Sequence, residues 1–163
     1  MSLHSVPQLS FNFFPSRPVD IELSSAPLST DAGLLPIRQF DQQIRLTEQF
    51  AAALQDRRDP TFVEHSNRSM VRQRVSGILA DYEDQNDHDT LRLDPIFKLV
   101  ADRLPDDPDL SSQPTLSRFE NAVSIPDQWR LRDVLVDLFL QSFDQPPRHL
   151  TLDIDAFEDP AHG

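Results

Sequence analysis

The residues best suited to chemistry lie near the C-terminus, in the stretch HLTLDIDAFEDPAHG, residues 149–163. From Leu150 to Asp155, leucine and isoleucine alternate with threonine and aspartate, which predicts a strand with one apolar face. Because strand side chains repeat every two residues, Asp153 and Asp155 point to the same side and could share a hard cation such as Mg²⁺. Polar residues of a half-exposed strand are often only its solvated face, so the spacing leaves both interpretations open. Further acidic or imidazole groups follow closely: Glu158, Asp159 and His162.

An apolar strand that ends in a functional aspartate occurs in two classes of enzyme. In haloacid-dehalogenase-like phosphotransferases the first Asp of an Asp-x-Asp pair is the nucleophile and the second is the acid or base. In RNase H-like nucleotidyl transferases, acids from separate strands hold two metal ions for an in-line displacement. Both folds build most of their sheet after this strand, and only a few residues follow Asp155.

Two other polar stretches invite a functional interpretation. Asp81–Pro95 is rich in acids and contains His88, but it lacks the glycine and terminal glutamate of a helix–loop–helix calcium site. It therefore favours a solvated acidic turn that leads into a short helix. The second stretch, Pro114–Val123, predicts a short helix whose open face could read DNA as part of a helix-turn-helix. The preceding PDDPDLSSQ is too long and acidic for the usual turn, which favours a purely structural helix. The residues on that open face include Thr115, Ser117, Arg118 and Asn121.

The elements that must position these residues are mainly helices. The Phe- and Pro-rich residues 1–18 show no clear period, and we expect an irregular leader partly docked by Phe11, Phe13 and Phe14. Val19–Leu23 alternates and predicts a short strand. From Pro36, two apolar stripes of helical period are separated by a break and a new cap near Thr47.

Three further helices follow. One begins near Ser66 or Ser69 and presents Arg68, Arg72 and Arg74 to solvent. Its predicted buried face consists of Val71, Val75, Ile78, Leu79 and Tyr82. Another helix is predicted over Pro95–Leu104. Ser124 caps a last, long helix that is apolar nearly all round, so we expect that helix to be central.

The composition limits the class of protein. The 163 residues carry a net charge of −12, which argues against a freestanding nucleic-acid binder. DNA binding would need a basic surface from another part of the protein, or Arg68, Arg72, Arg74 and Arg118 concentrated on one side of the helical body. The absence of cysteine excludes disulfides and thiolate chemistry. With no leader peptide and no apolar run of bilayer length, we expect a soluble, cytoplasmic protein without membrane contact.

Several blocks together resemble a known family. They are GILADYEDQNDHDTLRLDPIFKLVADRLPDDPDLSSQPTLSRFENAV (residues 77–123), the long apolar helix after it and PPRHLTLDIDAFEDPAHG (residues 146–163). These blocks resemble bacterial insertion-sequence DDE transposases of the group-1 type, whose catalytic domain is RNase H-like. The similarity runs from about Ser29 to Gly163.

The resemblance implies Mg²⁺-dependent DNA cleavage and strand transfer at the inverted repeats of a mobile element, with DNA as partner and a homo-oligomer left open. It places the first acid of the Asp-Asp-Glu triad at Asp155, with Asp153 beside it, as Mg²⁺ ligands. Phe157 stands where relatives often have a small hydroxyl residue. The second Asp and the Glu of the triad have no counterpart here, so whether the chain is itself an enzyme stays open.

The sequence therefore predicts a mainly α fold: a helical body between a short N-terminal strand and a C-terminal strand, the first of a truncated RNase H-like α/β domain. We expect a leader over residues 1–34, a helical domain over 35–146 and the first catalytic strand within 147–163. The function expected is that of the N-terminal part of a transposase, catalytically incomplete alone. Two alternatives stay open: a small helical interaction protein that modulates an intact transposase, and a fragment of a dehalogenase-like phosphotransferase.

Overall fold

The computed structural model describes residues 9–14, 16–21 and 30–154, and this part of the chain is mainly helical, as the sequence predicts. A hairpin of two antiparallel strands comes first, with β1 at Leu9–Phe14 and β2 at Arg17–Ile21. The helices are α1 Leu34–Ile44, α2 Leu46–Ala53, α3 Asn67–Leu79, α4 His88–Leu91, α5 Pro95–Val100, α6 Gln113–Asn121 and α7 Ile125–Gln141. Single 3₁₀ turns occur at Pro60–Phe62 and Gln85–Asp87.

The hairpin corrects the prediction of an irregular leader. Phe11 pairs with Val19 across the two strands, and the register shifts between Phe11 and Phe14. Phe11 and Phe13 are buried, and their rings stack with centroids 5.4 Å apart, so the predicted docking by these two side chains is confirmed. The alternation of Phe11 and Phe13 with Ser10 and Asn12 is the sequence pattern that indicates this strand.

The main apolar core lies where the hairpin meets α1, α4 and α5. Leu35, Phe97, Val100 and Leu110 are each no more than 1% exposed. The rings of Tyr82 and His88 each pack edge-to-face with the ring of Phe97, with centroid distances of 6.1 Å and 6.3 Å. This core fixes the positions of the polar groups that surround it.

The predicted break between the first two helices is confirmed, and the side chain of Asp41 explains it. Arg45 lies between α1 and α2 with φ of 58°, a left-handed conformation that ends α1. The Asp41 carboxylate then accepts hydrogen bonds from the backbone N–H of Thr47 at 2.8 Å and from its hydroxyl at 2.5 Å. These bonds satisfy N–H and O–H groups at the start of α2, so α2 begins anew.

Two later helices end at aspartates in the left-handed region. Asp81 and Asp102 have φ of 68° and 64° and follow the last turns of α3 and α5. In each case the next N–H reaches back five residues, from Tyr82 to the Gly77 carbonyl at 2.9 Å and from Arg103 to the Lys98 carbonyl at 2.8 Å. This is the Schellman arrangement, in which glycine is the usual residue. The chain has three glycines in all, and aspartate is among the residues that tolerate this conformation best.

The buried face of α3 differs from the prediction. Ser66 caps the helix, as expected, by accepting a hydrogen bond from the Ser69 N–H at 3.1 Å. The buried residues include Met70, Val71, Arg72 and Gln73, whereas Ile78 and Leu79 are more than half exposed. The prediction that Arg72 is solvated is therefore wrong, because ionic partners from distant parts of the chain make its burial favourable.

The prediction that α7 is central is also wrong. Its start is as expected: Ser124 and Asp127 form a capping box. The helix then packs mainly against α2 on one side, and most of its large apolar side chains remain exposed. Those exposed by 36% or more are Ile125, Trp129, Leu135, Val136, Phe139, Leu140 and, just after the helix, Phe143.

The predicted C-terminal strand is absent from Leu150–Ile154. These residues have no regular secondary structure, and Leu152 and Ile154 are more than 80% exposed. A strand needs a neighbour for its backbone groups, and in the described residues the only sheet is the N-terminal hairpin. Asp155 and the residues after it lie outside the described part, and the RNase H-like fold stays a prediction.

Candidate functional site

The acidic C-terminal segment is described only as far as Ile154. Asp153 is exposed, in a segment without regular structure, and the predicted neighbour Asp155 lies outside the described residues. Residues 9–14, 16–21 and 30–154 contain no group of three or more His, Asp or Glu side chains placed to hold a metal ion. The described residues therefore do not fit a resident metal site.

Of the four residues predicted on the open face of α6, Thr115 and Arg118 form one pair and Ser117 and Asn121 another. An Arg118 guanidinium nitrogen donates to the Thr115 hydroxyl at 3.1 Å, and Thr115 lies 3.2 Å from the Ser112 hydroxyl. The Ser117 hydroxyl is turned elsewhere and accepts a hydrogen bond from the Asn121 side-chain amide at 3.4 Å. The preceding connection, residues 101–112, is far longer than a helix-turn-helix turn. A hydrogen bond therefore keeps Thr115 and Arg118 together, but α6 is not part of a helix-turn-helix.

Thr115 and Arg118 line a cavity of about 280 Å³ between α6, the start of α7 and the loop after α2. The opposite wall includes Arg57, Arg58 and Asn67. Arg58 is fixed by Asp56 at 2.6 Å, by the Asn67 side chain at 2.9 Å and by a carbonyl at 2.9 Å. Arg57 and Arg58 are adjacent in the stretch DRRDP, and these two arginines are the sequence signal of basic character at this wall.

Three of the arginines considered for a basic surface are paired with acidic side chains of the helical body. Arg68 donates to Asp102 at 2.6 Å, and Arg72 donates to the same carboxylate oxygen. Arg74 donates to Glu120 at 2.6 Å. Arg118 is exposed and has no acidic partner among the described residues. The four arginines therefore do not form one concentrated basic face, and DNA binding by this part of the chain loses the support that such a face would have given.

Asp102 is the centre of the largest ionic cluster. Besides Arg68 and Arg72 it accepts a hydrogen bond from Arg38 at 2.9 Å, and the side chains of Arg38 and Arg72 are about 95% buried. Burial alone would raise the pKa of the Asp102 carboxyl, but the Arg38 hydrogen bond and the charge of Arg72 outweigh it and lower the pKa. The cluster joins α1, α3 and the end of α5, so its role is to hold helices together.

A second polar cluster surrounds Gln73, which is fully buried. Its amide donates to the Ser111 carbonyl at 2.8 Å and accepts from the Ser111 N–H at 3.0 Å. The imidazole of His88 is also fully buried, with Nδ1 3.4 Å from the Gln73 amide nitrogen and no hydrogen-bond partner at Nε2. Burial lowers the pKa of His88, and the charge of Arg74 adds to the shift. The ring is therefore neutral near pH 7 and structural in position.

Comparison with known proteins identifies the family. The family model for the transposase DDE domain, group 1, matches residues 11–163. The chain belongs to this transposase family, as its resemblance implies. No curated protein and no solved structure matches the chain. Members of the family generally use a divalent metal ion, and the family supports a role in transposition.

The match extends over the helical body and over the Asp153–Asp155 segment alike. It lends no support to the dehalogenase-like alternative. Within the described parts of the chain, no helix has the length and apolarity required to cross a lipid bilayer.

Proposed function

We propose that this chain acts in DNA transposition as the part of a transposase that binds element ends and supplies the first carboxylate of the active site. The observation that carries the proposal is the family match, which includes both the helical body and the C-terminal acidic segment. We assign end recognition to a helical domain, residues 35–146, preceded by a leader over 1–34. We propose that residues 147–163, which have no regular structure over 150–154 here, form the first strand of an RNase H-like domain where a neighbouring strand pairs with them.

Asp155 is the proposed catalytic carboxylate, and Asp153 is its neighbour in binding Mg²⁺. Carboxylate oxygens are the ligands that Mg²⁺ prefers, and acids two residues apart on a strand lie on one side. Glu158 and Asp159 cannot complete the set, because residues of one strand end cannot hold two metal ions from opposite sides. We therefore propose that the 163 residues alone do not cleave DNA.

DNA contact is proposed at α6, through Arg118 and Thr115 at the mouth of the cavity and Ser117 outside it, together with Arg57. Arg57 and Arg118 have no acidic partner among the described residues, which distinguishes them from the paired arginines of the helical body. A guanidinium that is not already paired with a carboxylate is available for a phosphate. The net charge of −12 makes this contact weak and strongly dependent on salt.

The test is binding of the 163-residue chain to a labelled duplex that carries the terminal inverted repeat flanking the coding sequence, compared with a scrambled duplex. Arg118→Glu should weaken binding about tenfold or more and lower the slope of log K against log salt by about one. Arg17→Glu makes the same change of charge on the hairpin and is the matched control. Equal binding by wild type and Arg118→Glu would contradict the proposed contact.

The same samples test catalysis. With Mg²⁺ present, we expect no cleavage of the element-end duplex by the 163-residue chain. Cleavage that is lost in Asp155→Asn would show that the chain carries a complete active site, contrary to the proposal.

The exposed apolar surface of α7 favours a second candidate function, that of a non-catalytic protein that joins and modulates an intact transposase. The two functions differ in cells that contain an intact element. Expression of the chain should lower the transposition frequency if it joins inactive complexes, and Val136→Glu on α7 should relieve the effect.

A further inference from the structure

The cavity beside α6 has an apolar interior. Its volume is about 280 Å³, close to the lower end of the ~300–1,000 Å³ found for small-molecule pockets. The apolar part of its lining consists of Leu54, Met70, Phe119, Ala122 and Val123. Phe119 is half-buried and is the one aromatic residue among those that line the cavity. The cavity therefore suits a ligand with one flat ring system, which can pack against the Phe119 ring.

Two unpaired arginines belong to the same lining. Arg57 comes from the loop after α2 and Arg118 from α6, and neither has an acidic partner within the described residues. The chain as a whole has a net charge of −12, so two free guanidinium groups at one cavity stand out from the rest of the protein. The acids of the lining are already paired with other arginines: Asp56 with Arg58, and Asp127 with Arg130.

The charge and the apolar interior together select one class of ligand. A phosphate monoester carries a charge of about −1.5 to −2 at pH 7, so it balances both Arg57 and Arg118, and guanidinium groups bind it through paired hydrogen bonds. A carboxylate would balance only one of them. Nucleobases stack on aromatic side chains whatever their sequence. A ligand that joins a flat ring to a phosphate is a nucleotide.

Gln55 adds a hydrogen-bonding group to the lining. Its backbone N–H donates to Asp127 at 3.2 Å, which fixes the residue beside the cavity. Its side-chain amide makes no hydrogen bond to another described residue, and an amide supplies both the donor and the acceptor that the edge of a base needs. The Thr115 hydroxyl and the Asn67 amide are already engaged with other groups of the protein. Gln55 is therefore the side chain available to a base.

We propose that this cavity binds a single nucleotide, with the base inside against Phe119 and the phosphate at the mouth between Arg57 and Arg118. The nucleotide is either a free nucleoside monophosphate or an unpaired nucleotide at the end of a DNA strand, since both present the same ring and phosphate. The inference goes beyond the proposed duplex contact, because binding of a free nucleotide requires neither DNA nor transposition.

The first test is binding of adenosine 5′-monophosphate (AMP) to the 163-residue chain, measured by isothermal titration calorimetry. We expect a dissociation constant of about 10 µM to 1 mM, as for a small ligand in a partly open site. Adenosine lacks the phosphate and ribose 5-phosphate lacks the base. Measured by displacement of AMP, each should bind at least tenfold more weakly, because each occupies only one half of the site.

Variants of the ring test the base half of the site. Phe119→Leu keeps an apolar side chain but removes the stacking surface. It should weaken AMP binding about fivefold or more and remove most of the advantage of AMP over ribose 5-phosphate. Phe62→Leu is the matched control, because Phe62 is 84% exposed and does not line the cavity. It should leave AMP binding unchanged.

Variants of the arginines test the phosphate half. Arg57→Gln and Arg118→Gln should each weaken AMP binding about fivefold or more and reduce its advantage over adenosine. Arg17→Gln makes the same change on the hairpin, away from the cavity, and should have no effect. A purely structural role of these arginines would not separate AMP from adenosine in this way.

A further experiment identifies the source of the nucleotide. Two duplexes are compared at one salt concentration, one blunt and one with a single unpaired adenosine that carries a 5′-phosphate. A threefold or greater preference for the overhang, lost in Phe119→Leu, assigns the site to a DNA end. AMP binding without that preference assigns it to a free nucleotide. A chain that binds AMP but not the blunt duplex contradicts the proposed DNA contact and still supports the nucleotide site.

Three results would overturn the proposal. The first is no binding of AMP up to about 5 mM together with no preference for the overhang. The second is equal affinity for AMP and ribose 5-phosphate, which would leave the base outside the cavity. The third is AMP binding that Phe119→Leu and Arg118→Gln both leave unchanged. Far-UV circular dichroism checks the fold of each variant. If Phe119→Leu is misfolded, Ala122→Trp, which fills the cavity from the end of α6, replaces it and should abolish AMP binding.

Discussion

The helical body buries several polar side chains, whereas α7 leaves most of its large apolar side chains exposed. The body buries Arg72, Gln73 and His88 almost completely and surrounds them with partners from distant helices. On α7, Trp129 and Phe139 are about half exposed, and its one deeply buried residue is Asp127. The two regions have similar helical periodicity, so periodicity alone does not determine which face is buried. The presence of a long-range partner determines it.

The largest expected difference between the two regions comes from removing one carboxylate charge in each. Asp102→Asn keeps a residue that tolerates the left-handed backbone but leaves Arg38 and Arg72 buried beside a neutral side chain. We expect a loss of about 2–3 kcal/mol in the free energy of unfolding, because the two buried guanidinium groups are then left with one carboxylate, that of Asp41, at 3.4 Å from Arg38 and 3.9 Å from Arg72. Urea denaturation followed by far-UV circular dichroism measures it.

Asp133→Asn on α7 is the matched control for Asp102→Asn. Asp133 pairs with Arg132, and both side chains are more than half exposed. At concentrations where the chain is monomeric, this substitution should change the free energy of unfolding by less than about 0.5 kcal/mol. Equal losses for the two variants would show that the ionic cluster of the body is no more important than a surface pair.

The second prediction concerns how tightly the body is packed. A Cβ at Gly77 would lie 2.9 Å from two ring atoms of His88 and 3.4 Å from the Tyr82 carbonyl. Gly77→Ala should therefore destabilise the fold by about 1–2 kcal/mol, even though alanine favours a helix interior. Gly33→Ala has no atom within 4 Å of the new Cβ, and Gly33 has a right-handed backbone conformation. It should be neutral or stabilise by up to about 1 kcal/mol. If Gly77→Ala proves as stable as Gly33→Ala, the ring of His88 moves freely in its surroundings.

The comparison also explains which parts of the fold could be predicted. The starts of α3 and α7 depend on Ser66 and Ser124, whose caps are read from neighbouring residues, and both were predicted correctly. The break near Thr47 is likewise local. The burial of Arg72 depends on Asp102, 30 residues away, and no local pattern indicates that pair.

In the candidate site, too, contacts between sequence neighbours could be predicted and contacts made by packing could not. Arg118 and Thr115 are neighbours on one helix, so their proximity could be expected. Arg57 approaches them only through the packing of the loop after α2 against α6, which the sequence does not reveal. The strand expected at Leu150–Ile154 failed because alternation indicates a strand only when a neighbouring strand is present to pair with it.

The smallest expected effect is a difference in the response to pH. Burial lowers the pKa of His88 below its ordinary value of 6.5, so between the two values the unfolded chain binds more protons than the folded one. Stability is then fully present above pH 6.5 and falls as the pH falls towards the native pKa, with a slope of at most about 1.4 kcal/mol per pH unit. The pKa of His65 is also lowered, chiefly by burial and then by Arg103, so His65→Gln is the control. His88→Gln should flatten the profile between pH 7 and 5 beyond the effect of His65→Gln, as measured by urea denaturation at each pH.

The attachment of α7 should respond in a different pH range. Hydrogen bonds from the Ser124 side chain and backbone lower the pKa of Asp127 well below 3.8, so its contribution is present above that value and is lost as the pH falls further. Trp129 is the only tryptophan and lies on α7, so its emission reports on this helix separately. In dilute, monomeric protein the native emission should stay constant from pH 7 to 5 while the stability of the body declines. An emission change that follows the loss of stability, and that His88→Gln abolishes, would show that α7 and the interior of the body are coupled.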